Sequence, residues 1–191
     1  MRIGILALQG AVEPHAEKLR ELGAETVEVR RAQHLENLEG IILPGGESTT
    51  MLHLLERNEL WAPLREFLQK RPGWGVCAGS ILMAEKVTHP EQRSLAVLPI
   101  EVERNAFGRQ IDSFIAPLNP ENAMPEQEGV FIRAPRIRAL NHKVQVLYRF
   151  EGEPVMVEFQ HSLASTFHPE LSQGTQLHEY FLKKCGALLH G

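Results

Sequence analysis

Cysteine is nearly absent from this sequence: Cys77 and Cys185 are the only two among 191 residues, and no Cys-x-x-Cys pair occurs. That excludes a disulfide framework and a thiolate zinc site, and makes a reducing, cytoplasmic setting the simplest one. Long apolar runs are missing as well. Residues 3–8 are apolar, but the run is short, Glu13 follows it and no small-residue cleavage site is present, so it reads as a strand and not as a signal peptide. Nothing approaches the roughly 18 to 20 apolar residues of a membrane span. Basic charge is in deficit: 20 Lys and Arg stand against 24 Asp and Glu, which argues against a broad footprint for nucleic acid or an anionic membrane. No histidine falls in a spacing such as His-Glu-x-x-His, and no metal site is expected. Repeats, low-complexity tracts and interdomain linkers are not found either. What remains is a chain with 43% hydrophobic residues, long enough to bury a sizeable core and expected to form one domain over residues 1–191.

Along the chain, an apolar strand over 2–8 is broken by Gln9-Gly10 before a helix over 11–22 whose Val12, Ala16 and Leu19 share one face. Thr26, Val27 and Val29 mark a second strand over 25–29, and 40–43 reads as a third. A helix with Met51, Leu52, Leu54 and Leu55 and an amphipathic helix over 60–69 come next; a fourth strand then ends at Cys77, ahead of a helical run Ile81-Leu82-Met83-Ala84. This alternation predicts an α/β fold, an open, mostly parallel twisted sheet flanked by helices. After Val87 the pattern changes to short strands over 95–103, 110–115, 129–132, 144–150 and 154–159, the last two joined as a hairpin by Glu151-Gly152-Glu153. These strands add antiparallel members to the sheet or form a small patch beside it. Residues 119–128, rich in Pro, Glu and Asn, read as a mobile loop, and a strand over 163–167, a His168-Pro169-Glu170 turn and a helix over 175–189 close the chain.

Three segments carry chemistry. Gly75-Val76-Cys77-Ala78-Gly79 places a cysteine on a sharp turn from strand to helix, with small residues on both sides. A nucleophile elbow needs that pattern, because the bent backbone leaves no room for side chains near the reacting atom; a cysteine in apolar surroundings is equally a buried packing residue. Pro44-Gly45-Gly46-Glu47-Ser48-Thr49-Thr50 exposes backbone N–H groups at a helix start, where an anion or a developing oxyanion can bind. No lysine follows the glycines, so it is not a phosphate-binding P-loop; it could also be a plain tight turn with Ser48 as the helix cap. Beyond the carboxyl ends of parallel strands, this turn and Cys77 would share one edge of the sheet. His168-Pro169-Glu170 supplies an imidazole and a carboxylate. Proline disfavours helical geometry at His168, so the tripeptide is expected to be extended, with the two side chains on one side. A carboxylate on one ring nitrogen would leave the other facing the sulfur. His15, His34, His53, His89, His142, His161, His178 and His190 lack such a context and read as structural or exposed, and Cys185 reads as a packing residue.

Taken together, these residues resemble a class I (triad) glutamine amidotransferase. More narrowly, Leu8-Gln9-Gly10-Ala11-Val12, Pro44-Gly45-Gly46-Glu47-Ser48-Thr49-Thr50, Arg104-Asn105-Ala106-Phe107-Gly108-Arg109-Gln110 and Phe131-Ile132-Arg133-Ala134-Pro135 resemble the glutaminase subunit of pyridoxal 5'-phosphate synthase, from the first strand to the last helix. The resemblance implies a flavodoxin-like sheet, with Cys77 as nucleophile, His168 as base and Glu170 as its orienting partner. It implies oxyanion donors at Ala78 and Gly46, and a glutamine site made by Gly46, Glu47, Ser48, Arg104, Ile132 and Arg133. It further implies a (β/α)₈ synthase partner that receives ammonia, no cofactor for this chain, and little turnover until docking resets the Gly45-Gly46 peptide. Two other readings stay open: a cysteine hydrolase of different specificity, and a non-catalytic subunit that keeps the fold. The presence of Cys77, His168 and Glu170 together weighs against the second.

Overall fold

A computed structural model describes residues 1–104 and 113–189. The first part alternates strand and helix: β1 (Arg2–Leu6), α1 (Val12–Glu21), β2 (Glu25–Val29), β3 (Gly40–Leu43), α2 (Ser48–Arg57), α3 (Trp61–Lys70), β4 (Gly73–Val76) and α4 (Ala78–Met83). Then come β5 (Ala84–Thr88), β6 (Leu98–Glu103), β7 (Ser113–Pro120), β8 (Gln127–Ile132), β9 (Arg136–Ala139), β10 (Gln145–Phe150), β11 (Glu153–Phe159), β12 (Ser162–Ser165) and α5 (Gln176–Leu189). The 105–110 part of the resemblance, the start of the strand expected over 110–115, and His190 lie outside the described residues.

Among the described residues the main sheet has nine strands in the order β2-β1-β3-β4-β12-β11-β10-β7-β8. The half from β2 to β12 is parallel, and the half from β12 to β8 is antiparallel. β5, β6 and β9 form a separate three-stranded patch. The middle section thus does both things expected of it, extending the sheet and building beside it.

The inner parallel strands β1, β3 and β4 are buried along nearly their whole length because both of their faces are covered, whereas the edge strand β2 buries only Val29. Side chains alternate across a strand, so Ile41 and Leu43 of β3 pack with Met51, Leu55, Leu64 and Leu82 of the helices on one face, while Ile42 packs with Leu19 and Phe181 on the other. Each fully buried Leu or Ile contributes roughly 1.5 to 3 kcal/mol relative to exposure. That drive is what clamps helices onto both faces of β1, β3 and β4.

Three expectations need correction. The helix after Cys77 stops at Met83, and Ala84-Glu85-Lys86-Val87-Thr88 is a strand, with Ala84 and Val87 buried and Glu85 and Lys86 exposed. β9 has no counterpart among the expected strands; of Arg-Ile-Arg-Ala only Ile137 is buried, too little apolar signal to stand out. The loop expected over 119–128 is shorter, because β7 runs to Pro120 and β8 begins at Gln127. It is also tied down, by Tyr148 Oη donating to the Pro125 carbonyl (2.7 Å), Asn122 Nδ2 to Val146 O (2.9 Å) and Arg149 Nε to Glu121 Oε1 (2.6 Å).

Candidate active site

Strand order decides which segments meet. β3, β4 and β12 are parallel neighbours, with Leu43 opposite Gly75 and Ser165 opposite Val76. Their carboxyl ends are therefore level, and the chain leaves all three side by side: Pro44-Gly45-Gly46 after β3, Cys77 after β4, and His168 two residues past Thr166 after β12. Gln9-Gly10-Ala11 comes after β1, the other neighbour of β3. These segments line a cleft of about 460 Å³ that Arg104, Ile132 and Arg133 also border. Gly46, Glu47, Ser48, Cys77, Ala78 and His168 also line it, while Glu170 lies behind His168, away from the cleft.

Cys77 has φ 49° and ψ −104°, a backbone conformation that costs a non-glycine residue on the order of 1 to 3 kcal/mol. Its surroundings hold it there. Cys77 N–H donates to Ser165 O (2.8 Å), and its carbonyl accepts from Ser80 N–H (3.0 Å) and Ser80 Oγ (2.6 Å). The turn is so tight that a Cβ on Gly79 would lie 1.9 Å from Leu43 O. Small flanking residues are thus a steric requirement of the elbow. As the first residue of α4, Ala78 has an N–H with no carbonyl in a preceding helical turn to receive it.

His168 has φ −102° and ψ 88°, non-helical as the following proline demands, but the tripeptide is not extended as expected: Pro169–Leu171 is a 3-10 turn. Proline at the first helical position suits such a turn, since its missing N–H is not needed there. The turn still brings His168 Nδ1 and Glu170 Oε1 to 2.7 Å, both side chains buried. A carboxylate only accepts, so Nδ1 carries the proton and Nε2 is left for the sulfur. Burial pushes the His168 imidazole down, but hydrogen bonds to Cys77 and to Glu170, with the charges of both, outweigh it and lift the ring to about 10. Gly45 is where the turn after β3 meets this ring; a Cβ there would stand 2.4 Å from His168 Cε1.

Behind Glu170 the polar contacts continue into the core. Glu170 Oε2 is 3.4 Å from His15 Nε2 on α1, and His15 Nδ1 is 2.9 Å from His178 Nε2 on α5. His15 and His178 both pack near Trp74, whose Nε1–H donates to Ser165 Oγ.

At the start of α2, Glu47 and not Ser48 caps the helix: its carboxylate accepts from Thr49 N–H (3.3 Å) and Thr50 N–H (2.7 Å). Some burial opposes the charge, but these bonds hold the carboxyl below its usual range. The same carboxylate reaches the Arg104 guanidinium at 3.5 Å, and Arg104 also donates to Thr49 Oγ1. Ser48 Oγ donates to Gln92 Oε1. Arg133, at φ 43° just past β8, is exposed and makes no ion pair among the described residues.

The model of the SNO glutamine amidotransferase family matches residues 5–187. The chain belongs to the SNO glutamine amidotransferase family. Within this resemblance it is 50% identical over 188 residues to the pyridoxal 5'-phosphate synthase subunit PdxT of Dictyoglomus turgidum, covering 97% of this chain and 99% of that one. It is 48% identical over 189 residues to the PdxT subunit of Solibacter usitatus, covering 96% and 98%. A solved glutamine amidotransferase with 44% identity superposes with a TM-score of 0.90 over 96% of this chain and 98% of the other.

For this SNO family member, sequence reasoning assigned no role to residues in and behind the cleft. Gln9 Oε1 accepts the Glu47 N–H at 2.7 Å and Ala11 N–H donates to Gly45 O at 3.1 Å, so the turn after β1 sets the shape of the turn after β3. His15, read only as structural or exposed, is fully buried and touches Glu170. A signal existed: His15 lies three residues after Val12 and four before Leu19, on the apolar stripe of α1.

The histidine pair makes stability in this SNO protein depend on acid. Burial, then the charge of Lys18, pushes His178 down to about 3; burial, then His178, His168 and Lys18, holds His15 well below its ordinary 6.5. Both are protonated near 6.5 when unfolded and stay neutral when folded, so the unfolded state binds more protons below 6.5. Their stability contribution is whole above 6.5 and is lost as pH falls below it, for His178 down to about 3. The expected slope is about 1.4 kcal/mol per pH unit for each histidine. Urea unfolding across this range should show it, and His178→Phe should flatten the slope between about pH 6.5 and 5; an unchanged slope would refute it.

Proposed function

We propose that this chain is the glutaminase subunit of a pyridoxal 5'-phosphate synthase. It works as one domain over residues 1–191 in the cytoplasm, hydrolysing L-glutamine to L-glutamate and ammonia and delivering the ammonia to a (β/α)₈ synthase subunit in a hetero-oligomer. The names of the relatives support the assembly. The single observation that carries the chemistry is the arrival of Cys77 and His168 at one cleft from adjacent strand ends, with Glu170 bound to His168 from behind.

Cys77, with its proton on His168 Nε2, attacks the carboxamide carbon of glutamine. The C=O electrons move onto oxygen, and the Ala78 and Gly46 N–H groups stabilise that oxyanion, each worth about 3 to 4 kcal/mol by analogy with measured donors. As the adduct collapses to a γ-glutamyl thioester, His168 gives its proton to the departing nitrogen and ammonia leaves. His168 then takes a proton from water, whose oxygen attacks the thioester, and the released thiolate and glutamate restore the starting state. Glu170 keeps His168 in the tautomer and orientation this requires.

Substrate is gripped from the opposite wall. Arg133 and Arg104 hold the α-carboxylate, a task suited to planar guanidinium forks. The Glu47 carboxylate is committed to α2 and Arg104, so it acts by fixing that arginine; Gly46, Ser48 and Ile132 shape the remaining contacts. Pyridoxal phosphate is a product of the complex and not a cofactor of this chain. Docking acts on the Gly45-Gly46 peptide, which one hydrogen bond from Ala11 holds in the free chain. Ammonia release from glutamine, measured with and without the barrel subunit, tests the reading: turnover should rise at least about a hundredfold on mixing, the effect of gaining one or more oxyanion donors. No ammonia under either condition would sink it.

A further inference from the structure

Glu170 gives one oxygen to His168, while its other, Oε2, is sealed in the core with His15 Nε2 at 3.4 Å as its polar neighbour. Both atoms are buried, and neither meets hydrogen-bond geometry with any described residue, each other included: they face one another as two unpaired polar atoms. His15 is fully buried on α1, and His178, 1% exposed on α5, meets its other nitrogen at 2.9 Å. The few charged groups around this pair are Glu170, His168 beyond it, and Lys18, whose ammonium is turned to the carbonyls of Ser172 and Gly174. This geometry fixes the protons. A bare lone pair on His15 Nε2 would set two acceptors against each other in a buried site and leave a carboxylate oxygen unpaired, a costly arrangement. His15 Nε2 therefore carries hydrogen. Kept neutral by burial, the ring then has Nδ1 as an acceptor, and the donor to it is His178 Nε2–H.

We propose that His15 is a positioning residue for glutamine hydrolysis: its Nε2–H holds Glu170 Oε2 so that Oε1 stays aimed at His168 Nδ1, and His178 keeps His15 in the tautomer that can do so. The proposal rests on the reading of Cys77, His168 and Glu170 as the reacting group, and extends it by two residues from helices that do not border the cleft.

The test compares the wild-type chain with His15→Leu, His15→Gln and Cys77→Ala, each mixed with the barrel subunit. His15→Leu should lower kcat for ammonia release about 10- to 100-fold, the usual loss when a hydrogen-bonded support of a reacting side chain is removed. KM for glutamine should change less than about threefold, because His15 does not border the substrate. His15→Gln retains an N–H donor and should recover most of kcat. If Cys77→Ala is inactive while His15→Leu keeps wild-type kcat, or if the Gln and Leu variants lose activity equally, His15 has no positioning role and the reading of the site stands. If Cys77→Ala still releases ammonia, that reading itself fails. Should His15→Leu not fold, the wild-type chain decides: imidazole ¹⁵N shifts should report His15 protonated at Nε2 and bare at Nδ1, and the opposite tautomer overturns the proposal.

Discussion

Cys77→Ala is expected to abolish ammonia release from glutamine by at least about 10⁴-fold in the presence of the barrel subunit, the scale of loss when a hydrolase forfeits its nucleophile. No second thiol can substitute. Cys185 is fully buried, and burial pushes its thiol up to about 12, so it stays protonated and out of reach. Folding should be almost untouched, because alanine fills less of the same space and inherits the same positive φ. Thermal unfolding within about 1 kcal/mol of wild type, together with a dead enzyme, is the combined result to look for. Residual turnover at a tenth of the wild-type rate would move the nucleophile elsewhere.

Gly79→Ala should act on the fold. Its Cβ would lie 1.9 Å from Leu43 O and 2.7 Å from Leu43 C, both backbone atoms of a strand locked in register with β4. Nothing there can rotate aside as a side chain could. Either α4 lifts from the sheet or the β3–β4 ladder shifts, at a cost of about 3 kcal/mol or more. For a chain of this size that is a fall in melting temperature of about 6 to 12 °C. Activity should fall too, since the helix that moves begins at the Ala78 N–H. A melting temperature within about 2 °C of wild type would show that the elbow has slack.

The elbow was legible in the sequence because its steric demands fall on consecutive residues, Gly75 to Gly79. The inner parallel strands were legible because burial on both faces writes an unbroken apolar run, as in Gly40-Ile41-Ile42-Leu43, and the edge strand β2 was legible from its β-branched Thr26, Val27 and Val29. Where one face is wet and charged, as in β5 and β9, the run dissolves and the strand is lost to view. Capping of α2 misled for another reason: Ser and Thr are the favoured cap residues, but here Glu47 reaches both free amides from one position earlier. His15 and His178 escaped because their meaning is tertiary. Each is an isolated histidine on its own helix, and only the packing of α1 and α5 on the same face of the sheet brings His178 to His15 and His15 to Glu170.

β12 is the last strand of the chain, yet it lies between β4 and β11 near the middle of the sheet. Cys77 and His168 are thus far apart in the chain and are brought together by the pairing of β12 with β4. Without that pairing Cys77 has no imidazole beside it, and its amide lacks the Ser165 carbonyl that helps hold the elbow. On the reading of Cys77 and His168 proposed above, chemical competence would be a readout of completed assembly: a chain lacking β12 in its place would not hold the two side chains together.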